Sequence, residues 1–570
     1  RDRSPSRGLG DVYKRQSQGL NFQPGVRVET NCQNCGFQQV RINGLDGPYT
    51  QILIDSRPVF SALSGVYGLE QIPASMIERV EVMRGGGSAL FGSSAIAGTI
   101  NIITKEPLRN SGQLSHTITS IGGSSAFDNN TSLNASLVTD DHRAGLYIFG
   151  QNRHRSGYDY DGDGFTELPK LKNQTVGFRS YLKTSTYSKL TFEYHHMQEF
   201  RRGGDMLNRP PHEAHIAEQL QHSIDGGSLK FDYFSPDEKN RLSVFASAAN
   251  TDRDSYYGPG NDPLKAYGKT TDLTAMGGAQ YVHTFDKCFF MPSDLTAGLE
   301  YNRDRLKDNM WGYNRHTDQT VNIYSAFLQN EWKNDRWGIL IGGRLDKHNM
   351  VDNVIFSPRA NLRFNPTQNI NLRLSYSSGF RAPQAFDEDM HIENVGGTVA
   401  MIERAKDLKE EKSQSFSVSA DMYHRFGAFQ TNLLIEGFYT RLTDVFVLGK
   451  PYDRGDGILV KTRSNGPGAK VMGLTLEGKV AYLSILQIQA GLTLQRSRYD
   501  EPHKWHDDAP AEKKIFRTPD TYGYFTATCT PIKPLSIALS GTYTGRMLVQ
   551  RMDITAENAE LGKMLSLIHI

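Results

Sequence analysis

Cysteine is scarce in this chain, with four among 570 residues, at positions 32, 35, 288 and 529. That excludes a disulfide-built scaffold. One close pair and two lone thiols fit an oxidising compartment with little cross-linking. An excess of charge is lacking as well: 64 Lys and Arg stand against 62 Asp and Glu, so nothing points to nucleic acid as a partner. Mean hydropathy is −0.51, and there is no run of about 18 apolar residues, which argues against a membrane-spanning helix. Membrane β-strands escape that test because they alternate polar and apolar residues. Catalytic signatures are missing too: there is no nucleophile elbow, phosphate loop or HExxH, and the chain does not read as an enzyme. Its sixteen histidines are scattered, and a pair such as His195–His196 on a strand faces opposite ways.

What is present begins with length: 570 residues exceed one ordinary core, so at least two domains are expected. From about residue 111 onward the pattern is alternation. Leu229, Phe231 and Tyr233 alternate with Lys230 and Asp232; Leu372, Leu374 and Tyr376 alternate with Arg373 and Ser375; Ile488, Ala490, Leu492 and Leu494 alternate with Gln489, Gly491 and Thr493. Period two gives each strand one apolar and one polar face. Short turns such as TDDH at 139–142, SPDEKN at 235–240 and NPTQN at 365–369 take turns with long polar stretches at 202–215, 254–270 and 377–413. Short turns on one rim and long loops on the other are the plan of an outer-membrane barrel. About 19 strands can be counted, and barrels of roughly 22 strands are the plugged ones. A soluble β-sandwich array is the competitor, but its connections need not alternate in length.

Residues 17–108 differ. Short β-branched runs, VRVE at 26–29, VRI at 40–42, QILI at 51–54, RVEV at 79–82 and TINII at 99–103, are separated by small or turn-rich loops. Such a unit is too small to cap the barrel and about right to fill it. Its loop GGGSALFGSSAIAG at 85–98 is bare: Gly85, Gly86 and Gly87 permit positive φ, and Ser88, Ala89, Ser93 and Ser94 keep bulk down. Charges buried in a lumen need partners, so Arg41, Arg57, Glu78, Arg79, Glu81 and Arg84 are expected to meet inward barrel charges such as Arg344, Glu436 and Glu477. Residues 1–16 and 565–570 share no pattern with the rest, resemble translated sequencing-adapter text, and are set aside as non-native ends. The domains expected are a partial plug at 17–108 and a partial transmembrane β-barrel at 109–564.

PGVRVE at 24–29, VRINGL at 40–45, ILIDSRPV at 52–59, IERVEVMRG at 77–85 and SALFGSSAIAGTINIITK at 88–105 resemble, in order and spacing, the plug of TonB-dependent outer-membrane transporters. GFRAPQAFDED at 379–389 and DLKEEKSQSFSVSADMY at 407–423 resemble barrel segments of the same family. The resemblance implies a mixed α/β plug inside a 22-stranded antiparallel barrel in the outer membrane. It also implies uptake of a scarce metal chelate (ferric siderophore, haem or cobalamin) driven through TonB, with a surface lipoprotein as a further partner in some cases. The TonB-contacting box expected before the plug is not among these residues. A SusC-type glycan importer, a passive porin and an outer-membrane barrel enzyme are the alternatives.

Several residues are candidates for contact with ligand or metal. DYDGDGFTE at 159–167 places Asp159, Asp161, Asp163 and Glu167 as in the first half of an EF-hand loop, with Gly164 for the turn. Lys170 stands at the twelfth position, so the alternatives are Ca²⁺ or a solvated acidic turn. Cobalamin transporters of the family order outer loops with calcium. The stretch Phe380–Pro383 resembles the FRAP box of haem transporters, which makes Arg381, Met390 and His391 candidates, although AKDL at 405–408 is a degraded second box. Cys32 and Cys35 fall at the first apical plug loop. They could form a disulfide that preorganises Phe37, Gln38 and Tyr49, or hold a soft metal such as copper or zinc. Ser88 and Phe91 of the bare loop complete the ligand-facing set.

Overall fold

The computed structural model describes residues 19–32, 36–57, 73–85, 92, 95–259, 266–395, 398–504, 510–532, 534–552 and 559–564. The expected ends at 1–16 and 565–570 lie outside that set.

Among the described residues, five short strands form the N-terminal unit. β1 (Val26–Cys32) pairs antiparallel with β2 (Phe37–Ile42). β3 (Thr50–Ile54) lies parallel to β5 (Gly98–Thr104), and β4 (Ile77–Arg84) lies antiparallel to β5 on its other side. The β-branched runs explain the mixed sheet: Ile52, Leu53, Ile54, Ile100 and Ile102 are all buried, as expected of strands covered on both faces, and the buried Asn101 between them is hydrogen-bonded to Ser56. Gly85, where β4 ends, adopts φ +79°, the conformation the bare loop was expected to need.

The chain then enters nineteen long strands: Ser111–Ser120, Phe127–Val138, Ala144–Arg155, Lys170–Ser185, Ser188–Gly204, Ile216–Phe234, Asn240–Pro259, Tyr267–Cys288, Met291–Met310, Arg315–Lys333, Trp337–His348, Ile355–Thr367, Ile370–Arg381, Glu411–Phe426, Phe429–Thr443, Ala469–Tyr482, Leu486–His503, Thr521–Ile532 and Leu535–Thr544. With the three-residue strand Glu512–Lys514 they make up the antiparallel barrel among the described residues. The alternation seen in the sequence becomes its two faces. Leu299, Leu328, Ile341, Phe356, Leu374 and Val418 point outward and are exposed; Thr270, Asp272, Asp308 and Asp346 point inward and are buried.

Aromatic pairs sit beside the short turns. Trp337 stacks on Phe364 at 4.3 Å, Phe429 lies 4.7 Å from Tyr482, and Phe290 stacks on Trp332 at 5.6 Å. An apolar band edged by aromatic residues is what a membrane barrel presents to lipid. The short-turn rim is the periplasmic one by the same rule. Cys288 and Cys529 are free thiols, and both lie within a few residues of short turns on that rim.

The long polar stretches are shorter as loops than the sequence suggests. Strands run on to Gly204 and Pro259 and restart at Tyr267. Beyond the membrane both faces of a strand are wet, so alternation fades while the ladder hydrogen bonds persist. Two outer loops are also structured. Glu393–Val395, Thr398–Arg404, Leu459–Asn465, Phe446–Leu448 and Tyr452–Asp453 form a five-stranded sheet of their own, in which Thr398–Arg404 and Leu459–Asn465 are parallel. Ile392, Met401 and Ile458 of these loops pack with Tyr256, Tyr257, Met310 and Tyr313 at the outer ends of the barrel strands.

Candidate ligand vestibule and plug anchorage

The plug fills the lumen through one continuous apolar core. Ile42, Tyr49, Ile96, Ile100 and Ile102 pack with Tyr147, Phe149, Phe438, Leu442 and Val471 of the barrel wall. Polar links add direction to that packing. Arg84 grips Glu436 with two hydrogen bonds, Nε to Oε1 at 3.1 Å and Nη2 to Oε2 at 2.6 Å. Arg179 of the wall donates to the Asp55 carboxylate and the Thr104 hydroxyl, and lies 3.3 Å from Glu193. The Tyr49 hydroxyl donates to Glu411 Oε1 at 2.7 Å, and the Tyr147 hydroxyl donates to the Ser75 carbonyl at 2.5 Å.

One carboxylate gathers three guanidiniums. Glu29 lies 2.7 Å from Arg27, 2.8 Å from Arg41 and 3.2 Å from Arg517. Burial alone would push the Glu29 carboxyl up, but Arg41, Arg27 and Arg517 more than offset that, and it titrates below the usual glutamate range.

Of the charged plug–barrel pairs expected from sequence, Arg84–Glu436 forms. Arg41 stays within the plug with Glu29 and Asp46, and Arg79 pairs with Glu81 at 2.8 Å. Arg57 lies over the Phe245 ring at 4.7 Å. Arg344 lies beside Gly92 of the plug but pairs with Glu300 and Asp346 of the wall, and Glu477 accepts from Gln489 and Tyr524. Sequence reading missed Arg179 and Glu411, because strand alternation marks them as inward but says nothing about height in the lumen, and it missed Arg517 because that residue lies in the turn between Glu512–Lys514 and Thr521–Ile532.

The candidate ligand-facing residues fall into three groups. Cys35, Ser88 and Phe91 lie outside the described residues, as do the side chains of Cys32 and Phe37. The backbones of Cys32 and Phe37 are register partners at the end of the β1–β2 pairing. Gly36, just before β2, approaches the outer half of the wall, since Arg201 Nη1 lies 3.4 Å from its carbonyl. A Cβ on Gly36 would come within 2.9 Å of Pro169, the last residue of the outer loop 156–169. Gln38 Oε1 is buried with no hydrogen-bond partner among the described residues. Tyr49 is buried at 8% exposure, a strut between plug and wall.

Arg381 is the hub of the second group. Its guanidinium pairs with Glu388 and lies over Phe386 at 4.2 Å, Phe446 at 5.3 Å and Tyr49 at 5.8 Å. Arg463 of the outer sheet holds Asp389 at 2.8 Å, so the loop after Arg381 is pinned to the cap. Met390 ends a short helix, Asp387–Met390, and is buried with Leu306 and Ala385. The His391 Nε2 lies 3.4 Å from Glu218, and its ring meets Tyr257 edge-on at 5.3 Å. Met390 and His391 therefore reach different neighbours rather than one shared point.

The third group is the acidic loop. Ligand oxygens of Asp159, Asp161 and Glu167 all lie within 4.8 Å of one another. Asp159 accepts from the amides of Gly162 and Gly164, and Asp163 accepts from Phe165. The structure gathers three of the four predicted carboxylates and leaves Asp163 bracing the turn.

A mixed plug anchored inside a large antiparallel barrel narrows the fold to one architecture. The family model "TonB dependent receptor-like, beta-barrel" matches residues 103–547, and "TonB-dependent Receptor Plug Domain" matches 13–99. The chain belongs to the TonB-dependent receptors. Membership makes it an outer-membrane protein of the transporter and receptor class rather than an enzyme. Vitamin B12 transporter BtuB of Vibrio vulnificus is 24% identical over 404 residues, 68% of this chain and 59% of that protein. The chain thus spans about three fifths of that relative's length.

Solved receptors share the fold. The siderophore receptor PirA of Acinetobacter baumannii superposes with TM-score 0.80 at 17% identity, covering 98% of this chain and 90% of that one. The ferric enterobactin receptor PfeA of Pseudomonas aeruginosa gives 0.77 at 18%, covering 97% and 88%.

Proposed function

We propose that this TonB-dependent receptor imports a scarce metal chelate, a ferric siderophore, haem or cobalamin, across the outer membrane with energy delivered through TonB. The observation that carries the reading is the anchorage of the plug: buried but polar links to Glu436, Arg179 and Glu411 hold it to the barrel wall, and each can be exchanged for water or other partners when the plug moves. BtuB among the relatives and siderophore receptors among the fold neighbours support this cargo class. The anchored plug weighs against a passive porin; a SusC-type glycan importer would share the plug and remains the alternative cargo class. Met390 is spent on packing and His391 on Glu218, which weighs against haem among the three chelates.

The test is conductance. Full-length receptor in planar bilayers should pass little current, and removal of the plug should open it. High conductance with the plug in place overturns the reading. Uptake of labelled chelates by cells with and without TonB then separates the cargo classes.

A second reading concerns the acidic outer loop, which we propose binds Ca²⁺ through Asp159, Asp161 and Glu167, braced by Asp163. Hard carboxylate oxygens converging on one point suit calcium, and the proximity of the three groups supports it. Calorimetry should show a calcium-binding heat that Asp161→Ala abolishes; no heat with the unaltered protein rejects it.

A further inference from the structure

Charge is distributed unevenly between the lumen and the mouth of this receptor. In the outer half of the lumen the guanidiniums already have carboxylate partners. Arg153 donates twice to Asp128, at 3.0 and 2.8 Å, and Arg201 donates twice to Glu199, at 2.8 and 3.0 Å. Arg315 lies 2.9 Å from Asp308, and Arg463 lies 2.8 Å from Asp389. Arg155 and Arg202 commit donors to the carbonyls of Pro169 and Asp205, and the buried carboxylates Glu218, Asp272 and Asp304 stand on the same wall. The plug stretches 31–36 and 85–98 contain no Lys, Arg, Asp or Glu, so whatever their conformation they add no cation.

The mouth is acidic. The outer connection 156–169 has four carboxylates and no Lys or Arg, and 382–410 has seven acidic residues against three basic ones. The other long connections, 205–215, 444–468 and 504–520, are balanced to within one charge, so they do not offset this excess. Glu403 and Asp407 of the second acidic connection are exposed. A single Ca²⁺ on Asp159, Asp161 and Glu167 would cancel only part of the charge of the first.

An anionic chelate meets two obstacles here. It approaches against a field of its own sign, which slows association. Once inside, it has to draw a guanidinium away from a carboxylate, and that strands a buried charge. A chelate whose own donors neutralise the metal meets neither obstacle. Gln38 Oε1 is buried with no hydrogen-bond partner among the described residues, an acceptor that suits an N–H of the cargo and not an anionic oxygen.

We propose that the imported chelate carries no net negative charge, and that the acidic mouth and the already paired lumen turn anionic chelates away. The inference rests on the importer reading above and narrows its cargo. Three hydroxamates neutralise a ferric ion, and the corrin, phosphate and cyanide of cyanocobalamin neutralise its cobalt. Three catecholates leave a ferric ion with a large negative charge, and haem keeps its two propionates. Neutral chelates of the first two kinds share the chemistry that this lumen accepts.

The test is calorimetric titration of the full-length detergent-purified receptor with four probes: cyanocobalamin and a ferric tris-hydroxamate, both neutral, and a ferric tris-catecholate and haemin, both anionic. One of the neutral probes should bind about a hundredfold more tightly than either anion, and which one it is identifies the source. In Glu403→Lys/Asp407→Lys the anions should gain about tenfold at low ionic strength, with the affinity of the neutral probe unchanged. Heat-modifiable gel migration checks that each barrel is folded. Tighter binding of either anion by the unaltered receptor overturns this inference and leaves the importer reading standing. Binding of none of the four by a folded barrel overturns both. An anion affinity that the lysine variant does not move, or a neutral-probe affinity that falls with it, also overturns the proposal.

Discussion

The Tyr49 hydroxyl donates to Glu411 across 2.7 Å and so ties the plug to a barrel strand 362 positions away. Arg381, beside the same tyrosine ring, continues the contact to Glu388 and the outer cap. Burial and the adjacent Glu411 carboxylate raise the Tyr49 pKa well above its usual value, so at any physiological pH it is a donor. Tyr49 is a joint between the plug and the barrel wall.

Tyr49→Phe removes the donor and leaves a buried acceptor, a change of about 1–3 kcal/mol. The urea midpoint for plug unfolding should fall while the barrel transition stays in place. An unchanged plug midpoint would show that the strut carries no stability.

Arg84 and Glu436 should behave as a coupled pair. Either Arg84→Gln or Glu436→Gln strands one partly buried charge and should destabilise the plug by about 3–5 kcal/mol. The double variant should lose much less than the sum. Additive losses in the same plug-unfolding assay would mean that the two act independently.

Glu29 makes plug stability depend on acid. Its carboxyl titrates lower in the folded plug than in the unfolded chain, so its contribution is complete above the ordinary glutamate pKa of about 4.3. It is lost as pH falls through that value and the lower folded one. Glu29→Gln should flatten this part of the pH–stability curve and lower stability at neutral pH. A curve of the same shape as that of the unaltered protein would exclude Glu29 as the titrating group.

Arg463 should hold the outer cap to the barrel mouth. With Arg463→Ala, Asp389 loses its 2.8 Å partner and the segment 382–410 should become cleavable by trypsin in intact cells. Equal protection of both proteins would show that the packing of Ile392, Met401 and Ile458 suffices.

Much of this architecture can be read from residue order. The period-two alternation in Leu372–Tyr376 or Ile488–Leu494 requires a sheet with one apolar face, because side chains on a strand alternate. The alternation of short turns with long connections requires two unlike rims, and the run from PGVRVE to TINIITK carries the plug. Arg84 and Glu436 could be named as charges needing partners, since a buried charge without one is costly.

Tertiary structure decided the rest. Which inward residues share a height depends on register and tilt, so that Glu411 meets Tyr49, Arg179 meets Asp55 and Arg517 meets Glu29 only once the sheet is curled around the plug. The same holds outside the membrane. Nothing in the polar stretch 377–413 announces a parallel pairing of Thr398–Arg404 with Leu459–Asn465, because strands that find each other across so many residues are selected by the barrel that brings their loops together. Met390 and His391 are adjacent in sequence, yet one side chain enters the wall beside Leu306 and the other turns to Glu218. Their neighbours were set by the packing of the cap, a property of the folded surface and not of the motif.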